Sequence, residues 1–445
     1  MRVSPFVTTG KNNMLSAPKS VRLHIGLFGR RNVGKSSILN ALTGQDIAIV
    51  SAIPGTTTDV VKKAMELKPI GPVIFLDTAG LDDTGELGEK RVARTLKAME
   101  STDIAVVITE SEVGEFEREI LRELKKNSIP TILVFNKIDV KPPSKEVLKE
   151  ASKLADTIVK TSMITREGIN DLRNAIVKHT PDEIINPPGI ITDLIGTGDV
   201  VVLVVPIDLE APKGRLILPQ VQVLREVLDC DARAVVVKES ELADTLEILK
   251  VKPKLVVTDS QAILKVVADV PPDIPLTGFS VLYARWKGDL ETFIKGTLAI
   301  RDLHPGDRVL IAEACTHHPI GDDIGRVKLP RWLNQYVGGE LEFTNYQGHD
   351  FPADLSTYKL VIMCGSCMIN RREVLTRIIK AKESGVPIAN YGLAIAFSLG
   401  VLERVLSPFP LILNNMKMWP GITSEPKSEK LNSMREGYRD LFLSK

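Results

Sequence analysis

At 445 residues, with 44% apolar and 25% charged side chains, the chain has enough apolar material for two or three domains with cores of their own and needs no disulfides to fold. Lys+Arg 57 against Asp+Glu 56 leave a formal charge of +1, without the electrostatic footprint of a nucleic-acid or anionic-membrane binder. There is no apolar run of about 18 residues and no signal-like N-terminus, so a soluble, cytoplasmic protein is expected, in which Cys364 and Cys367, two of four cysteines, serve metal or redox chemistry rather than a covalent staple.

After an N-terminal extension, residues 1–20, the first strong pattern is "LHIGLFGRRNVGKSSILNAL". An apolar strand runs into Gly29 and then Gly34-Lys35-Ser36-Ser37, the G-x-x-x-x-G-K-[ST] spacing of a P-loop between a strand and a helix. Glycines let backbone N–H groups close around phosphate oxygens, and the helix that follows adds its positive end. Lys35 is expected on the β- and γ-phosphates and Ser36 on Mg2+. "PGTTTD" then offers Thr57 as a second Mg2+ ligand. "VIFLDTAG" ends a buried strand with Asp77, for a magnesium-bound water, and Gly80, whose N–H can meet the γ-phosphate. "TILVFNKID" supplies Asn136, Lys137 and Asp139, and the Asp139 carboxylate can accept two hydrogen bonds from guanine that adenine cannot offer. Ser162 and Met163 of "KTSM" stand where a backbone N–H can reach the guanine O6. GTP is the nucleotide these motifs select, and residues 21–180 form the GTP-binding domain.

A linker, 181–187, follows. Beyond it, short strand-like and helix-like runs alternate from about 188 to 280, "DVVVLVVPI", "LPQVQVLREVLDC", "ARAVVV" and "KLVVTD" among them, as in a small α/β domain without a catalytic constellation. Cys230 reads there as a small core residue. A third α/β unit, 281–420, precedes a C-terminal tail, 421–445. Within it the strand "RVLIAEA" ends at Cys315 and the strand "KLVIM" ends at Cys364, with Cys367 closing "CGSC". Ligands of open parallel sheets bind at the carboxyl ends of strands, so two strand ends can bring three thiolates to one crevice. Small Gly365 and Ser366 let the backbone approach a metal and turn N–H groups toward sulfur. Three thiolates suit a [4Fe-4S] cluster or zinc; a redox dithiol and unliganded thiols are the other readings. The fold class expected is α/β throughout: an N-terminal P-loop GTPase domain followed by two smaller α/β domains with mainly parallel sheets.

The G motifs resemble the translation-factor-like GTPases, in the group of the tRNA-modification and ribosome-assembly GTPases. Leu81 stands where Ras-type enzymes carry a water-orienting glutamine. In the resembled group an asparagine at the place of Asn32 helps bind K+; a turn residue in a glycine loop is the other reading of Asn32. The P-loop GTPase, the α/β domain without a site and the distant cysteines together resemble the [FeFe]-hydrogenase maturation GTPases, the HydF-type scaffolds, over roughly residues 20 to 415. Their pattern, C-x-H and then H-C-x-x-C, is matched by Cys315, His317, Cys364 and Cys367, while Met363 replaces the usual second histidine. The fourth ligand stays open among His317, His318, His349, a carboxylate, water and none. The resemblance implies a homodimer that binds a [4Fe-4S] cluster, receives a transient diiron precursor from two radical-SAM maturases and passes it to apo-[FeFe]-hydrogenase, with slow, potassium-stimulated GTP hydrolysis as a switch. A ribosome- or tRNA-associated GTPase and a zinc-stabilised regulatory GTPase share the G motifs and are the alternatives.

Overall fold

The structure is a computed structural model that describes residues 22–43, 61–67, 70–78, 95–185, 188–206, 216–314 and 323–418. Thr57, Gly80, Cys315, His317 and His318 lie outside the described residues, as do the N-terminal extension and the C-terminal tail. The chain divides into two compact units, Met1–Pro187 and Pro188–Lys445.

In the first unit a six-stranded sheet has the order β2-β3-β1-β4-β5-β6. Its strands are β1 (Leu23–Phe28), β2 (Val61–Leu67), β3 (Gly71–Asp77), β4 (Ile104–Thr109), β5 (Thr131–Phe135) and β6 (Thr157–Lys160). β2 runs antiparallel to β3, and every other pairing is parallel. Every residue of β1, β4 and β5 is buried, because helices cover both faces, and the strands therefore read as unbroken apolar runs. Two buried clusters follow, one with Leu23, Ile25 and Ile38 and one with Phe28, Val107 and Leu121.

The second unit holds two four-stranded sheets, β10-β9-β7-β8 and β12-β11-β13-β14, all parallel. The first contains β7 (Val200–Val204), β8 (Arg233–Val237), β9 (Leu255–Thr258) and β10 (Leu276–Gly278). The second contains β11 (Arg308–Glu313), β12 (Glu342–Gln347), β13 (Leu360–Met363) and β14 (Ile388–Asn390). Both sheets have one order: the first strand lies inside, the second beside it at an edge, the third and fourth on its other side. A parallel sheet whose connections reverse direction opens a crevice where they part, between β7 and β9 and between β11 and β13. One continuous core, from Val201 and Val257 through Phe279 and Phe293 to Ile311 and Ile395, serves both sheets.

That shared core joins the two smaller α/β domains expected beyond the linker. The expected boundary at 280/281 falls inside the continuous helix Phe279–Lys287, whose Phe279, Val281, Leu282 and Tyr283 are all buried. β10 and β14 are only three residues long and turn directly into the helices Phe279–Lys287 and Tyr391–Ser398. They are too short to show a period in sequence.

Candidate functional site

The nucleotide residues gather at the carboxyl ends of β1, β3 and β5. Gly29 follows β1 with φ +145, and a Cβ there would meet the carbonyl of Ile108. Gly34 has φ +98, and a Cβ would run into the amide of Asn136. Both positions therefore need glycine. Asn32, exposed, also sits in the left-handed region at φ 61, where asparagine is among the residues that tolerate it. The helix Lys35–Thr43 opens with Lys35 and exposed Ser36 and Ser37. Lys35 is buried, and its ammonium donates to the carbonyls of Gly29 at 2.7 Å and Arg30 at 2.6 Å. The loop is thus curled around a buried cation.

Asn136 ties this loop to the turn that follows β6. Its side-chain amide donates to Val33 O at 2.8 Å and its carbonyl accepts from the Thr161 hydroxyl at 3.0 Å, all three in the interior. Thr161 precedes Ser162, which is fully buried, and Met163, which is half-buried. Lys137 has φ 60 and pairs with Glu110 at 2.6 Å, and Asp139 is exposed two residues on. Asp77 closes β3 beside Leu27 of β1, with Lys63 of β2 at 3.7 Å from its carboxylate. Sequence reasoning missed the Arg30 clamp: its guanidinium pairs at 3.0 Å with Glu117, a buried carboxylate on the helix Glu115–Lys126, which also accepts from Gly114 N at 2.9 Å.

The second site is the loop after β13. Cys364, Gly365, Ser366 and Cys367 leave the sheet at the crevice between β11 and β13, and neither described cysteine of the loop is in a disulfide. The Cys364 sulfur accepts from Ala314 N at 3.0 Å and from Ser366 N at 3.4 Å. Ala314 immediately precedes Cys315 in the chain. Ser366 holds φ 55, the left-handed turn that wraps the loop. Burial pushes the Cys364 thiol up to about 11, Cys367 adds to the rise, and the two N–H donors and Arg377 act against it. A thiol so placed ionises readily only when a metal takes the thiolate.

Behind the loop lies a buried ammonium that sequence reasoning did not single out. Lys287, 2% exposed, ends the helix Phe279–Lys287 and donates to Ser366 O at 2.9 Å, Cys367 O at 3.3 Å and Ile369 O at 2.8 Å. Burial pulls its pKa down to about 8, with Cys367, Cys364 and Glu373 opposing that shift. "YARWKGD" carries no periodic or motif signal for such a role.

Met363 is 1% exposed, in register with Ala312 and Asn390, and packs into the shared core. His349 follows β12 and places Nδ1 2.8 Å from the buried Glu373, which also takes Arg377 at 2.8 Å. Cys230 caps the helix Leu218–Asp229 and packs against the core, its thiol raised by burial and then by Glu226, Asp229 and Asp231. Among the described residues no group of three or more His, Cys, Asp or Glu side chains forms a metal site. The donors present nonetheless fit a thiolate-bound metal group: two cysteines on one turn, N–H groups on sulfur and a buried cation behind.

Comparison with known proteins matches three segments, one in the first unit and two in the second. Residues 24–137 match the 50S ribosome-binding GTPase model, residues 190–288 the hydrogen maturase F dimerization domain, and residues 291–408 the hydrogen maturase F tetramerization domain. Over the first domain the chain is 38% identical to the tRNA modification GTPase MnmE of Nitrosomonas europaea, covering 35% of this chain and 34% of that protein. It is 36% identical to the GTPase Der of Persephonella marina, covering 36% and 38%. The chain thus spans about a third of the length of the curated relatives it matches. Among solved structures, the G domain of the T. maritima FeoB iron transporter is 28% identical, with a TM-score of 0.28, over 36% of this chain and 99% of that one. A G domain similar to those of MnmE and Der in front of matches to both hydrogen maturase F domains is consistent with a HydF-type hydrogenase maturase.

Proposed function

We propose that the chain is a GTP-hydrolysing scaffold that binds a [4Fe-4S] cluster, assembles the diiron precursor of the [FeFe]-hydrogenase active site and delivers it to apo-[FeFe]-hydrogenase. The precursor comes from two radical-SAM maturases. In the G domain Lys35 bears on the β- and γ-phosphates, Ser36 and Thr57 hold Mg2+, Asp77 orients a magnesium-bound water, and Gly80 meets the γ-phosphate. Asp139 selects guanine, helped by Lys137 and by the backbone at Ser162 and Met163. Asn32 contributes to a K+ site that stands in for an arginine finger, so hydrolysis is slow and potassium-stimulated. Loops around Thr57 and Gly80 order with GTP and relax after hydrolysis, and this is the switch.

Cys315, Cys364 and Cys367 hold the cluster, and the fourth position, for which His317 is the nearest candidate in the motif, takes an exchangeable ligand that an incoming group can replace. The chain's own part is to present thiolates, aim N–H groups at them and keep the loop shaped. A cytoplasmic homodimer is the working form, without nucleic acid or membrane. It is supported by the dimerization-domain match and by the half-exposed edge strand β8, where Val236 is 44% exposed.

The observation that carries this reading is the C-G-S-C turn at the β11/β13 crevice, with two backbone N–H groups on the Cys364 sulfur, inside a hydrogen maturase F domain. Anaerobic purification and reconstitution test it. About four irons per chain, with a paramagnetic signal after reduction and activation of apo-hydrogenase in the presence of the two maturases, is the expected result. Zinc in place of iron, or neither metal, refutes the cluster reading.

A further inference from the structure

The C-x-x-C loop has an unusual polarity. The carbonyls of Ser366, Cys367 and Ile369 converge on a single ammonium, Lys287 Nζ, at 2.9, 3.3 and 2.8 Å. The Cys364 carbonyl faces the Asn390 amide at 3.5 Å. With these carbonyls turned inward, backbone N–H groups are left for sulfur, and Ser366 N reaches Cys364 Sγ at 3.4 Å. Ser366 holds this polarity with φ 55, a left-handed conformation that is unfavourable for a non-glycine residue and persists only where its surroundings hold it.

The ammonium is fixed from its own side too. It lies 5.6 Å from the Tyr283 ring centroid and 5.5 Å from that of Trp286, and those rings pack edge to face at 5.3 Å. The Tyr283 hydroxyl donates to Gln222 on the helix Leu218–Asp229, and the Trp286 indole donates to Pro188 O at 2.8 Å. The helix that ends in Lys287 lies within the dimerization-domain match, whereas the loop it holds lies within the tetramerization-domain match.

We propose that Lys287 is the positioning residue of the C-x-x-C loop. It holds the loop carbonyls inward so that the N–H groups face sulfur, and it places a positive charge behind any thiolate-ligated metal group bound there. Hydrogen bonds to sulfur and nearby positive charge both raise the reduction potential of such a group, and a buried counter-charge also offsets the cost of bringing anionic thiolates into the interior. This inference rests on the cluster reading given above for its redox half and on the loop geometry alone for its structural half.

The test uses the full-length chain as wild type, Lys287→Met, which keeps the volume of the stem and removes the charge, and Lys287→Met combined with Ser366→Gly. In the iron-free proteins, amide hydrogen exchange over residues 364–370 is expected to be at least tenfold faster in Lys287→Met, with residues 23–28 of the G domain unchanged. After reconstitution, Lys287→Met is expected to hold at most half the wild-type iron. The portion that assembles should have its midpoint potential shifted negative by about 59 mV, the one-electron equivalent of a tenfold change. Ser366→Gly should restore iron content in the Lys287→Met background, because glycine takes φ 55 unaided, and should leave the potential shifted. Unchanged exchange over 364–370 overturns the inference whatever the iron content. Loss of iron with neither rescue by Ser366→Gly nor a changed potential also overturns it, since Lys287 would then serve only general stability. A wild-type chain that takes up no iron sinks the cluster reading, and the exchange comparison still decides the role of Lys287.

Discussion

Asn136 joins two loops of the G domain through two buried hydrogen bonds. Replacing it with alanine removes the amide that Val33 O receives at 2.8 Å and the carbonyl that the Thr161 hydroxyl reaches at 3.0 Å. Val33 is 6% and Thr161 0% exposed, so neither partner is open to bulk solvent. An orphaned buried polar group costs about 1–3 kcal/mol, which sets the total at about 2–6 kcal/mol. At 1.4 kcal/mol per factor of ten, even the lower limit shifts the folding equilibrium of this unit by roughly 30-fold. Urea unfolding of Asn136→Ala, followed with and without GDP, measures the effect, and fluorescent-nucleotide titration should show weakened binding because Val33 precedes Gly34 in the phosphate loop. A cycle with Thr161→Val should be less than additive, since the two side chains share one hydrogen bond. An unchanged unfolding midpoint together with an unchanged nucleotide affinity, or a strictly additive cycle, refutes the reasoning.

Substituting Asp139 with Asn should move nucleotide preference from guanosine toward xanthosine triphosphate, read as a reversal in kcat/KM, because the exchanged amide presents a donor where guanine also presents one. Hydrolysis should be faster in K+ than in Na+, and Asn32→Ala should abolish the difference; equal wild-type rates in the two cations would remove the K+ site. Cys315→Ser, Cys364→Ser and Cys367→Ser should each deplete iron while GTP hydrolysis persists, and Cys230→Ser should retain both; full iron in any of the first three contradicts the three-thiolate site. The Asp193 carboxyl is held below its usual range by hydrogen bonds from Arg285, at 2.6 and 2.7 Å. A depressed carboxyl pKa stabilises above the unfolded value, 3.8, and the contribution fades as pH falls through the folded value. Asp193→Asn should therefore cost stability near pH 6 and nothing measurable well below pH 3, by urea unfolding at each pH; a pH-independent difference contradicts the assignment. The side chain of Asp193 is 59% exposed, which keeps the effect small.

The G domain was legible because its chemistry is carried by backbone and spacing. Gly29 and Gly34 are glycines for steric reasons that a sequence displays directly, and "NKID" sits at a strand end that its apolar run announces. The cysteine turn was legible for the same reason: a short apolar run, then C-G-S-C. What the sequence withheld is everything decided by long-range packing. Lys287 lies about 80 positions from the carbonyls it serves, and nothing local marks a lysine that will be buried. Arg30 and Glu117 likewise meet only because the helix Glu115–Lys126 folds back over the phosphate loop. The helix Phe279–Lys287 was cut at 280/281 because β10 before it has three residues and no turn separates them. Met363 shows the opposite case. Judged as a missing ligand in sequence, it closes a buried strand and fills core volume, so its replacement of histidine is first a matter of packing.

The two sheets of the second unit share one strand order yet differ in what the third strand delivers to the crevice. In the first sheet β9 ends at Thr258, and the Asp259 carboxylate after it accepts from Gln220 at 2.6 Å while Gln220 in turn accepts from Ile217 N at 3.0 Å. Gln220 is 3% exposed, so that strand end spends its polar groups on its own scaffold. In the second sheet β13 ends at Met363, and the next residue is a cysteine whose sulfur receives main-chain N–H groups. The sheets meet through the residues that open their last helices: Ser280 donates to Asn390 at 2.9 Å and receives Gly392 N at 3.3 Å, and Asn390 faces the Cys364 carbonyl. One arrangement of strands thus occurs twice, the site is a matter of the loop placed on it, and the copy without cysteines at its crevice is built into the support of the copy that has them. Lys287 and Ser280 both come from the helix that follows β10. The first sheet therefore supports the cysteine loop, since the position of that helix reaches Ser366 and Cys367 through Lys287 and reaches Asn390 through Ser280.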